Sequence, residues 1–106
     1  MTEVEQLELQ KEVNRELIRQ RDLLNKLEQT PEFKELILDN FCEKDCARYI
    51  QVSVDTRVSP EYRENALNIA KAAGYFLNYL EMVKLKGNNA EASMESIDAE
   101  LDDLRG

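Results

Sequence analysis

The stretch from Ser59 to Gly87 restricts the folds open to this chain more than any other. Tyr62, Ala66, Ile69, Ala73, Phe76, Leu80 and Val83 follow one another at alternating spacings of four and three. That is an unbroken apolar row on one face of a helix. Leu67, Ala70, Gly74 and Leu77 widen the row to well over a third of the circumference. Ser59 suits an N-cap, Pro60 the first helical position and Glu61 the positive end of the dipole. At the other end Lys84 and Lys86 complement the negative end, and Gly87 offers a left-handed stop. The spacing predicts a helix over 60–86, about 40 Å long. Within it Ala66, Ala70 and Gly74 form a strip of small residues. Such a strip calls for a nearby backbone or a bulky filler such as Leu24, Leu27 or Phe41.

Two more rows are present. Val13, Leu17, Gln20, Leu24 and Leu27 repeat the four–three spacing and predict a first helix over about 3–29. Thr30, Pro31 and Glu32 then form a start signal: N-cap, proline at the first position, acid in the first turn. Phe33, Leu36, Ile37, Asn40 and Phe41 give the second helix its apolar face. Residues 49–54 alternate like a strand, but no second strand candidate exists to pair with them. A helix over 31–54 is therefore expected, with Asp55–Val58 as the turn into the long one. After Asn88 and Asn89, the residues Ala90, Met94, Ile97, Leu101 and Leu104 mark an acidic amphipathic helix or tail. The expected organisation is a helical body, 1–87, and an acidic segment, 88–106. The fold class is all-α: three to four helices with one long central helix, in a helical-bundle or coiled-coil-like oligomer. The packing or oligomer interface is expected at Leu17, Leu24, Leu27, Ala66, Ile69, Ala70, Ala73, Gly74, Phe76, Leu77, Leu80, Met94, Ile97 and Leu101.

Composition narrows the chemistry. The chain has 106 residues, no histidine, no tryptophan, three glycines and two prolines. Without histidine there is no ordinary catalytic triad, and no glycine-rich phosphate loop occurs. A non-enzyme is expected, with no cofactor. Cys42 and Cys46 stand one turn apart, but zinc asks for about four ligands, so buried structural cysteine is the simpler reading. No calcium-loop pattern appears among Asp98, Asp102 and Asp103. The net charge is −8, of which −5 falls in residues 88–106. Direct binding to nucleic acid needs clustered cations and is disfavoured. Arg63, Glu64, Lys71, Asn78 and Glu81 interrupt any apolar span, so no membrane helix is expected. With two cysteines and a charged N-terminus, the chain reads as cytosolic.

Lys11, Arg15 and Arg19 form a ladder at intervals of four. Such a ladder could hold the phosphates of a small anionic nucleotide, with Tyr49 or Tyr62 stacking on its base. The simpler reading is a salt-bridged surface with the neighbouring glutamates.

Three segments carry a family resemblance. They are Thr30-Pro31-Glu32-Phe33-Lys34-Glu35-Leu36-Ile37-Leu38, Asn65-Ala66-Leu67-Asn68-Ile69-Ala70 and Phe76-Leu77-Asn78-Tyr79-Leu80. Over residues 23–86 the chain resembles a diffuse group of small helical bacteriophage proteins. In that group a Pro-x-Phe helix start is similarly followed by a longer helix and an acidic tail. The resemblance implies a viral protein in the host cytoplasm or the virion and supplies no catalytic residues. The expected function is that of a helical homo-oligomer acting through contacts with itself and with other viral or host proteins, as a virion or assembly factor. Two alternatives stand beside it. One is an anti-defence protein that sequesters a host nucleotide signal in inter-subunit pockets. The other is an acidic inhibitor of a host nucleic-acid-binding protein.

Overall fold

The computed structural model describes residues 1–106, and every regular element in it is helical. The helix α1 spans Glu3–Glu28, α2 is the single turn Pro31–Phe33, and a π-helical stretch covers Lys34–Asp45. The helix α3 follows at Cys46–Ser53, and α4 runs from Pro60 to Arg105. The all-α expectation holds, and the strand-like alternation of 49–54 yields to helix, as a lone strand with no partner must.

Both start signals act as read. Thr30 is extended (φ −74°, ψ 133°) and its hydroxyl accepts from the Phe33 N–H. The Ser59 hydroxyl accepts from the Tyr62 N–H, with Pro60 opening α4. Between α3 and α4 the Asp55 carboxylate accepts from the Arg57 backbone N–H and from its guanidinium, each at 3.0 Å. These bonds close the turn.

The stop expected at Gly87 does not occur. The helix α4 continues for 46 residues, through Gly87 and both asparagines. The residues 88–105 are therefore the closing stretch of one helix and not a separate acidic tail. The row that opens at Tyr62 continues in phase as Gly87, Ala90, Met94, Ile97, Leu101 and Leu104. A partner along that row holds the helix where local preference would break it.

The chain falls into two compact units, Met1–Lys26 with Glu81–Gly106, and Leu27–Leu80. In the first, α1 lies antiparallel to the second half of α4. Its core is small: Leu7, Ile97 and Leu101, with Val4 packed against them. In the second, Ala66, Ala70, Ala73 and Leu80 are the buried face of α4. The Cys46 thiol donates to the Ala70 carbonyl at 3.7 Å, so α3 approaches α4 over the small residues. Gly74 lies off that contact. It is exposed and a methyl group there would meet nothing, which corrects the strip to Ala66, Ala70 and Ala73.

The π-helical winding corrects a second face. Wider turns, closed by bonds five residues apart, bring Phe33, Ile37, Leu38, Phe41, Cys42 and Cys46 into the half-buried set. Leu36, expected inside at α-helical spacing, is 63 % exposed.

Candidate functional site

The first unit holds the densest polar arrangement in the molecule. On α1 the side facing α4 carries Val4, Leu7, Lys11, Asn14, Ile18, Arg21 and Leu24, all buried or half-buried. This seam differs from the expected one: Val13, Gln20 and Leu27 are exposed. The reason lies across the interface, where α4 offers partners for polar groups. The Lys11 ammonium pairs with Asp98 at 2.6 Å, its side chain only 17 % exposed. The Asn14 amide donates to the Ser93 hydroxyl at 2.9 Å, and that hydroxyl donates to the Ala90 carbonyl. Arg21 pairs with Asp22 and Glu91 and donates to the Asn88 side-chain oxygen. At the last residue of α4, Arg105 pairs with Glu8.

Gly87 is what admits Arg21. A Cβ at 87 would lie deep inside contact distance of the Arg21 Cβ, and within 3.0 Å of its Cδ and Cγ. The two helices come together at this point because one of them lacks a side chain. The Arg21 side chain is only 12 % exposed, and its guanidinium is held above its ordinary pKa by Glu91 and then Asp22.

The proposed cation ladder divides. Lys11 turns to α4, whereas Arg15 and Arg19 face solvent. Arg19 makes two bonds to the Glu16 carboxylate, at 2.9 and 2.7 Å, which hold Glu16 below the usual carboxylate range. Arg15 and Arg19 border an open dip of about 400 Å³ with Ile18, Asp22, Leu23 and Lys26, all from α1. A dip formed by one helix has no opposite wall with which to enclose a ligand. Tyr49 and Tyr62 belong to the other unit, Tyr49 beneath the Arg48 guanidinium at 5.1 Å. A second groove, of about 390 Å³, lies between Leu9, Gln10 and Val13 of α1 and Ser93, Ser96 and Ile97 of α4.

Of the expected interface residues, the structure buries Leu24, Ala66, Ala70, Ala73, Leu80, Ile97 and Leu101. Leu17, Phe76 and Met94 are half-buried, while Leu27, Ile69, Gly74 and Leu77 are exposed. Lys11, Asn14, Arg21 and Gly87 were missed as packing residues. The signal for Gly87 was present, because it falls on the four–three row. The polar three carry no such signal, since their partners lie far along the chain.

Cys42 and Cys46 are free and half-buried. Burial, then the neighbouring Cys46, pushes the Cys42 thiol up, which lowers its reactivity. No group of three or more potential metal-ligating side chains comes together, and no helix is long and apolar enough to cross a membrane. Comparison with protein-family models, curated proteins and solved structures finds no match.

Proposed function

We propose that this chain is a non-enzymatic helical protein that works by self-association and protein–protein contact, in the virion or assembly role implied by its resemblance to small phage proteins. One observation carries the reading: each unit leaves large apolar side chains in solvent. In the first these include Leu9, Val13, Leu23, Met82 and Leu85, and in the second Leu36, Tyr75 and Tyr79. Nine apolar residues are buried, four of them alanines. That core is thin for two units, and helices with a second apolar side gain stability by covering it. Light scattering at micromolar concentration tests the proposal. A mass of two chains or more is expected, and a monodisperse monomer overturns it.

The acidic-inhibitor reading ranks second, on a specific ground. Glu95, Glu100, Asp102 and Asp103 are exposed on the continuous helix α4, so their spacing is stiff. It predicts that Glu100→Gln with Asp103→Asn abolishes capture of a basic nucleic-acid-binding protein without changing helicity. Capture that persists in this variant overturns it. The nucleotide reading has less support, because Lys11 and Arg19 already have carboxylate partners.

A further inference from the structure

The outward side of α1 reads the same in both directions. Leu9, Val13, Glu16, Gln20, Leu23 and Leu27 are spaced four, three, four, three and four apart, the period of a coiled-coil seam. All six are exposed, and the four apolar ones keep 49, 53, 52 and 45 % of their surface in water. The row is symmetric about position 18. Turned end over end on a second copy, Leu9 falls opposite Leu27, Val13 opposite Leu23, and Glu16 opposite Gln20.

Charge selects this orientation. The first half of α1, 3–15, carries Glu3, Glu5, Glu8 and Glu12 against Lys11 and Arg15. The second half, 16–28, balances Arg19, Arg21 and Lys26 against Glu16, Asp22 and Glu28. A parallel pair would lay the two acidic halves side by side, whereas an antiparallel pair sets each acidic half against a neutral one. Glu12 and Lys26 flank the row beside Val13 and Leu27, within one turn of each other across an antiparallel pair, where flanking charges set partner and orientation. Like charges across such a seam are the element that rejects the wrong pairing.

We infer that the outward face of α1 is a self-docking surface, on which a second copy of this chain binds antiparallel through Leu9, Val13, Leu23 and Leu27. The interface is isologous, as a two-fold dimer requires. This rests on the self-association proposed above and adds the surface and its orientation.

The test separates the two. Wild-type chain is weighed by light scattering beside Val13→Asp/Leu23→Asp. Both positions are exposed, so helicity should hold while the dissociation constant rises at least tenfold. Glu12→Lys should weaken association, and Glu12→Lys with Lys26→Glu should restore it, a rescue that misfolding would not produce. In a Cys42→Ser/Cys46→Ser background, chains with Val13→Cys are mixed with chains carrying Leu23→Cys and oxidised. Mixed disulfides are expected. Val13→Cys alone should not cross-link, since its two copies lie ten residues apart along the pair, about 15 Å, beyond disulfide reach. A wild-type oligomer that ignores the aspartates overturns the docking surface and leaves self-association standing, with another face responsible and the α1 row left to a different partner. Homodisulfides at Val13→Cys overturn the orientation. A monomeric wild type overturns both proposals.

Discussion

A methyl group at position 87 has nowhere to go. The atom it meets is the Arg21 Cβ, fixed to the α1 backbone, so rotating a side chain brings no relief and the helices must separate. Gly87→Ala should therefore destabilise the protein, overpacking costing about 1–3 kcal/mol against the ~1 kcal/mol that alanine gains in a helix interior. Gly74→Ala is the control. With open space around it, the same exchange should stabilise by about 1 kcal/mol. Urea midpoints of the two variants should move in opposite directions. Asp55 gives a second prediction at this scale. Arg57 holds its carboxylate below the ordinary value, so its contribution is present above the unfolded-state pKa and disappears as pH falls through the lowered one. The gap in urea midpoint between wild type and Asp55→Asn should be full at neutral pH and close in acid. Because the Arg57 side of the pair is almost fully in solvent, the gap should be small and should shrink with salt. Taking the difference removes the opposing relief of repulsion among the other carboxylates.

At the scale of elements, the π-helical stretch decides which leucine matters. Leu38→Ala should cost about 1–2 kcal/mol as a half-buried truncation, and Leu36→Ala should fall within about 0.5 kcal/mol as a surface change. Equal effects in urea melts would restore the α-helical face. The sequence contains no glycine or proline between Lys34 and Asp45, so nothing in it marks the change of winding, and an α-helical period put Leu36 inside. Helix starts were legible because caps are local chemistry: Thr30, Ser59 and Pro60 each act within a turn. The course of α4 was half legible. Its apolar row stays in phase through Gly87, but Gly87, Asn88 and Asn89 look locally like an ending, and only a partner outside that window decides between the two. The α1 seam was the least legible. Lys11, Asn14 and Arg21 are polar, and what draws them inward is Asp98, Ser93 and Glu91.

For the molecule as a whole, the consequence is that α1 depends on residues near the other end of the chain. Removing residues 88–106 takes Ile97 and Leu101 from Leu7, Ser93 from Asn14 and Asp98 from Lys11. An isolated helix the length of α1 is marginal in water, and this one contains like-charged glutamates. Circular dichroism of the truncated chain should show a loss of helix larger than the deleted segment itself supplied. A loss confined to the deleted residues would mean that α1 stands without α4. The same dependence explains why unit boundaries do not follow chain order. The first unit takes both ends and the second the middle, whereas composition alone divided the chain at 87, where its charge changes.

Pairing α1 with the far half of α4 also sets a clock. Leu7 and Leu101 are separated by most of the chain, and a ribosome adding 5–20 residues per second needs about 5–20 s to pass from one to the other. Helix formation itself takes under about a microsecond, so during synthesis α1 waits for its partner and not for its own winding. Throughout that interval Leu7 on one side and Leu9 and Val13 on the other are bare together. The inner face of α1 therefore closes only after translation has supplied α4, and a self-docking outer face is open to neighbouring chains on the same messenger before then.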